Sequence, residues 1–247
     1  MNTHAAAGKQ WTETDLDSLT VENHFRLRGM EVTRLDTFID AAFAFVLTLL
    51  VISFDELPSN YSEMLAAAKR IPGFAASFAI LMMFWLQHRR WSRRYGLENL
   101  KTILFSLALI FVMLVYVYPL RMIFEGMFAN LSGGYLPTSY RLESYTELRM
   151  IFVFYSTGFF AMALLLAQLY RAAISNSALL ALNQWELRRT RIDMQIWGLG
   201  ASLGLLSVLL ALVLPDAWIV VAGYMYFAFF LLSRIPARLD RRKNGEE

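Results

Sequence analysis

The chain has 247 residues, 57% of them hydrophobic, 15% aromatic and 17% charged, with a formal net charge of +3 and no cysteine. A soluble domain is about 45–50% apolar and about 25% charged, so this balance is displaced toward lipid. The composition excludes a disordered chain and a disulfide-stapled secreted domain, and the missing cysteines exclude thiol catalysis, thiolate zinc sites and iron–sulfur clusters.

Residues 1–31 are polar and lack the basic start and apolar core of a leader. They are expected to form a mobile or surface-lying cytoplasmic tail. The first long apolar stretch runs from Phe38 to Phe54, with Arg34 and Leu35 as its lead-in, and ends at Asp55-Glu56-Leu57-Pro58. A bilayer core of about 30 Å takes roughly 20 helical residues, so this stretch is long enough to span. A second segment starts amphipathically at Tyr61, passes Pro72-Gly73, is apolar from Phe74 to Leu86 and leaves through Gln87-His88-Arg89-Arg90-Trp91-Ser92-Arg93-Arg94. Further segments run from Leu100 to near Phe128, Leu148 to Tyr170, Ile196 to Leu214 and Ala217 to Leu232. Gly133-Gly134 and Pro215-Asp216 mark turns between them. The runs are continuous, where a membrane β-barrel alternates in short segments. The fold class expected is an all-α integral membrane protein with six transmembrane helices, organised as a tail (1–31), a membrane domain (32–235) and a basic tail (236–247).

Lysine and arginine alternate across the loops. Arg89, Arg90, Arg93, Arg94 and Lys101 fall between spans two and three, Arg171, Arg188, Arg189 and Arg191 between four and five, and Arg234, Arg238, Arg241, Arg242 and Lys243 after six. The opposite loops are poor in basic residues. Both termini are therefore expected in the cytoplasm, across a bacterial plasma membrane. Topology accounts for the basic clusters without nucleic acid as a partner; membrane lipid is the partner expected of the apolar spans.

A charge inside a membrane helix costs at least about 2.5–3.5 kcal/mol at the centre, so it has a partner or a function. Asp40 is the clearest case. Arg34 lies six positions earlier, which places the two about 120° apart around a helix axis, so each is expected to reach a neighbouring helix. Trp85 and His88, three apart on one face of the second span, are candidate partners; equally, both are residues expected at a membrane interface. Asp36, nearer the interface, reads as solvated. Phe45, Leu49 and Ile52 share one stripe of the first span, extended by Ala41 and Glu56. Such a stripe packs, faces lipid or lines a pathway. Thr48 stands beside it, with the preceding turn's carbonyl as its ordinary partner. The histidines are His4, His24 and His88, and no zinc-protease, Walker or nucleophile-elbow motif occurs. Enzyme chemistry, metal sites and organic cofactors are therefore not expected. Arg121, Glu125, Glu143, Glu147 and Arg149 read as surface salt bridges.

Arg34-Leu35-Asp36-Thr37-Phe38-Ile39-Asp40, with Thr48-Leu49-Leu50 following, resembles the R-x-x-x-F-S-D and T-L-L signature of the transmembrane protein 175 family. Trp85 with His88-Arg89, and Asn99 followed by Pro119, are similar as well. The resemblance covers about residues 34–119 and implies a potassium-permeable channel that assembles as a homotetramer, the first helix of each subunit lining the pore. It implies a hydrophobic gate at Phe45, Leu49 and Ile52, a part in ion selection for Thr48, and an interhelix network of Arg34, Phe38 and Asp40 with Trp85 and His88. Asp55 and Glu56, at the outer end of span one, would concentrate cations in an outer vestibule. Two positions depart from the pattern: Ile39 replaces the motif serine, and Phe45 stands where isoleucine or leucine is usual. The alternatives are a proton-conducting or weakly selective cation channel of the same fold, and, from another class, a non-conducting accessory protein or a membrane enzyme.

Overall fold

The computed structural model describes residues 11–52, 59–138, 140 and 142–232. Asp55, Glu56 and the basic tail lie outside the described residues, as does the side chain of Ile52. A short helix α1 (Glu13–Asp17) leads to a small antiparallel hairpin, β1 (Val21–Glu22) with β2 (Phe25–Arg26), in the register Val21↔Arg26 and Glu22↔Phe25. Helices α2 (Arg34–Ile52), α3 (Tyr61–Lys69), α4 (Ile71–Tyr95), α5 (Leu100–Leu131), α6 (Tyr145–Ser175), α7 (Gln184–Val213) and α8 (Val220–Leu232) follow. Four of them, α4 to α7, are long and apolar enough to cross a membrane by length and composition. The fold is thus an all-α membrane fold; α2, with 19 residues, and α8, with 13, stand where the first and sixth spans were expected.

Local chemistry sets the helix ends. Asn99 accepts from the Thr102 N–H at 3.0 Å while Thr102 Oγ1 accepts from the Asn99 N–H at 3.1 Å, a reciprocal cap at the start of α5. Asn183 and Glu186 cap α7 in the same way. The α4 helix stops at Gly96, whose φ of +56° suits a residue without Cβ. Three spans reach further than hydropathy indicates, α6 among them, since it runs to Ser175 and takes in Arg171. The α4 helix continues through its arginines, and α7 begins at Gln184, so Arg188, Arg189 and Arg191 lie on its opening turns and not in a loop.

Residues 20–29 correct the expectation of a loose tail. Phe25 is 0% exposed and meets Tyr95 and Trp185 edge-on. Arg28 and Glu186 form an ion pair with both side chains fully buried. Their contacts are 2.8 Å from Nη2 to Oε2 and 3.2 Å from Nη1 to Oε1. The remaining guanidinium donors reach the Leu180, Arg26 and Ala181 carbonyls at 2.6, 2.9 and 3.3 Å. Glu186 also accepts from the Arg26 and Asn183 N–H groups. A buried pair this fully satisfied ties the N-terminal segment to the α6–α7 connection and the first turn of α7. Gly29 completes the clasp: its N–H donates to the Arg93 carbonyl at 3.0 Å, and a Cβ there would stand 2.2 Å from the Ser92 carbonyl oxygen.

The other end of the bundle corrects a second expectation. Arg121 and Glu125 are not a surface pair: they bond at 2.7 Å while only 5% and 3% exposed, inside the span of α5. Arg149 bonds the carbonyls of Ala211 and Leu214 and the carboxylate of Asp216, closing the end of α7. Between the two ends, small residues let helices approach. A Cβ on Gly204 would lie 3.0 Å from the Phe160 backbone, and Ser156, Ser207 and the Ala222 carbonyl link α6, α7 and α8 through contacts of 2.8 Å.

Arg28→Ala strands the Glu186 carboxylate in a dry site. Breaking a buried pair costs about 3–5 kcal/mol, so this variant is expected to lower the melting midpoint in detergent sharply. An unchanged midpoint would show that the clasp is not a structural tie.

Candidate ion pathway along the first membrane helix

The α2 helix has two unlike faces. Ile39, Phe43, Val46 and Leu50, at helical spacing, are each no more than 3% exposed and pack against α4 and α5. Phe38, Ala41, Phe45 and Thr48 lie on the other side and are uncovered within the subunit, Phe38 and Phe45 being 56% and 57% exposed. At about 100° per residue, Leu49 and Ile52 fall roughly 40° and 20° to either side of Phe45; Leu49 is half-buried. Arg34 falls on the same stripe, at its N-terminal end, and is exposed.

Two carboxylates fix α2 to α4. The Trp85 indole Nε1–H donates to Asp40 Oδ1 at 2.8 Å. The Ser92 hydroxyl donates to Asp36 Oδ1 at 2.5 Å, while Asp36 Oδ2 accepts from Thr33 Oγ1 at the start of the helix. Of the anticipated network, the Asp40–Trp85 contact is therefore present. His88 is not part of it: its Nε2 pairs with Ser106 Oγ on α5 at 2.9 Å in a buried position. Arg34 makes no hydrogen bond or ion pair among the described residues. Asp36 is a half-buried anchor where a solvated carboxylate was expected. The signal for it was present in the spacing of Thr33 and Asp36, an N-terminal capping pattern. Ile39, in place of a serine, is 1% exposed and belongs to the core, so the missing hydroxyl is replaced by packing. Thr48 donates to the Ala44 carbonyl at 2.9 Å, which leaves its oxygen lone pairs on the uncovered side of the helix. No group of three His, Asp or Glu side chains suited to a metal ion occurs among the described residues.

Removing either side of the Asp40–Trp85 bond removes the same tie, so Asp40→Ala and Trp85→Phe are expected to be non-additive. A double-mutant cycle on the melting midpoint should give a coupling of about 1 kcal/mol; additive losses would mean that the two groups act separately.

A family profile described as the endosomal/lysosomal potassium channel TMEM175 matches residues 34–119, a range containing α2, α4 and the first part of α5. A protein of Marivirga tractuosa named a potassium channel is 31% identical over 231 residues, 90% of this chain and 92% of that one. The crystal structure of a variant of the potassium channel MtTMEM175, solved with a nanobody–MBP fusion, is 29% identical with a TM-score of 0.76, covering 90% of this chain and 99% of that one. A lysosomal potassium-selective channel TMEM175 homologue from Chamaesiphon minutus is 18% identical with a TM-score of 0.46, covering 79% and 96%. The Marivirga tractuosa protein and MtTMEM175 are each named a potassium channel. Identity sustained over nine-tenths of both chains decides the matter: this multi-pass membrane protein belongs to the TMEM175 family of potassium channels.

Proposed function

We propose that the protein conducts potassium as a homotetramer, with four copies of α2 around a central axis and the uncovered stripe of each turned inward. The observation that carries this reading is the asymmetry of α2. One face is fixed by apolar packing and two carboxylate bonds, while the opposite face carries Phe38, Ala41, Phe45 and Thr48 uncovered from the cytoplasmic end to the middle of the helix. The name of the Marivirga tractuosa relative supplies the ion.

In this reading Phe45, Leu49 and Ile52 form apolar rings that narrow the path and gate it by dewetting. Thr48 contributes the hydroxyl oxygen nearest the rings. Arg34 stands at the inner mouth, and Asp55 and Glu56 attract cations at the outer one. Phe38 supports the ring stack from below, and Trp85 holds α2 in register through Asp40. The subunit crosses the membrane six times, with α2 first and α8 last. The excess of arginine at one end of the bundle supports a cytoplasmic position for that end, at a bacterial plasma membrane, with 1–31 and 236–247 as flanking segments to the 32–235 channel domain. Because apolar rings offer no cage of carbonyls, weak selection or proton passage is the competing reading.

Flux in proteoliposomes tests this. Potassium flux should exceed sodium flux in matched gradients, and Leu49→Ala, which widens a ring, should raise potassium flux several-fold. Equal potassium and sodium flux would replace the selective reading by the weakly selective one. No effect of Leu49→Ala on a conducting protein would remove Leu49 from the constriction.

A further inference from the structure

Where α4 ends and α7 begins, a cavity of about 470 Å³ is lined by Arg89, Arg90, Arg93, Arg94 and Arg189 beside Trp185. Their charge is only partly answered. Asp193 takes Arg94 at 2.7 Å and Arg189 at 3.4 Å, and Glu22 lies 3.8 Å from Arg93. Arg90 has the neutral Gln87 amide oxygen at 3.4 Å, and Arg89 stacks over the Trp85 ring at 5.4 Å. Among the described residues, two carboxylates thus face five guanidiniums. Four of the five stand within six residues of one helix, where like charges at this spacing repel.

The cavity has the size of a ligand site, since such pockets run from about 300 to 1,000 Å³. Guanidinium donors match phosphate oxygens in pairs, and basic recesses between membrane helices suit acidic headgroups. Its rim also carries Leu86 and Trp185, 47% and 41% exposed, so an acyl chain has apolar surface to lie along at interfacial depth. The clasp builds the far wall: Glu22 and Leu27 line the cavity, and Leu27 directly precedes the buried Arg28. We propose that this cavity binds a phosphate-bearing anion, supplied by the headgroup of an acidic phospholipid or by a free phosphate ester, with Arg89 and Arg90, which have no carboxylate partner among the described residues, as its donors.

The test is the melting midpoint of the full-length protein in neutral detergent at constant ionic strength. Dihexanoyl phosphatidylglycerol, dihexanoyl phosphatidylcholine and glycerol phosphate are titrated separately. The phosphatidylglycerol titration should raise the midpoint saturably and phosphatidylcholine should not. The concentration for half of the shift should rise about tenfold in Arg89→Gln/Arg90→Gln, the scale of about one lost charge-assisted contact. It should stay unchanged in Arg171→Gln/Arg191→Gln, which removes the same charge from exposed positions outside the cavity. A response to glycerol phosphate equal to that of the lipid identifies a free phosphate ester as sufficient; a response to the lipid alone identifies the headgroup with its chains. No saturable shift with either, or equal weakening in both double variants, overturns the site. If the cavity double variant does not purify, Arg90→Gln alone is compared with Arg171→Gln on the same criteria.

Discussion

A membrane helix that donates all its backbone bonds to itself is positioned by side chains alone, and α2 is positioned from one side. Asp40 takes the Trp85 indole and Asp36 takes the Ser92 hydroxyl, both from α4. Ile39, Phe43, Val46 and Leu50 fill the space toward α4 and α5. The opposite face is then uncovered from Arg34 to Thr48, because the ties among the described residues lie elsewhere. A helix held this way keeps its rotation about its own axis fixed, and the rotation decides which residues a second copy or a water-filled path would meet.

The anchoring of α2 rests in turn on α4 being held at its arginine-rich end. There the N-terminal segment is threaded against the last turn of α4 and pinned by the Arg28–Glu186 pair to α7. Gly29 against Ser92 and Gly96 allows that approach, since no other residue type would fit the gap. Ser92 therefore serves two contacts: its carbonyl borders the clasp and its hydroxyl holds Asp36. Strain or loosening at the clasp would reach α2 through α4, a contiguous set of packed groups.

Hydropathy made the long spans legible because an apolar run of about 20 residues has few other destinations. The motif residues around Asp40 pointed to a helix–helix contact for the same reason that a charge in lipid needs a partner. Periodicity alone could not say that Asp40 meets Trp85 while His88 turns to Ser106, because both lie on the same face of α4 and only the position of α5 separates them. The buried pairs were the least legible. Arg28 and Glu186 are 158 positions apart and each looks like a soluble charge in its own context. Arg121 and Glu125 have the i, i+4 spacing of a surface pair, and their burial comes from tertiary packing. The same limit applied to the tail, whose polar composition conceals Phe25 and Leu27 at buried positions.

Because the chain contains no cysteine, the facing of α2 can be read with single cysteines in an otherwise unaltered protein. The decisive comparison is modification by a membrane-impermeant cationic thiol reagent in conducting proteoliposomes. Phe45→Cys and Ala41→Cys are set against Phe43→Cys and Val46→Cys. If the uncovered stripe lines a water-filled ion path, the first pair reacts and potassium flux falls with the modification, while the second pair stays unreactive. If Phe45→Cys and Ala41→Cys are inert in a conducting protein, the stripe faces lipid or protein, and the central claim fails.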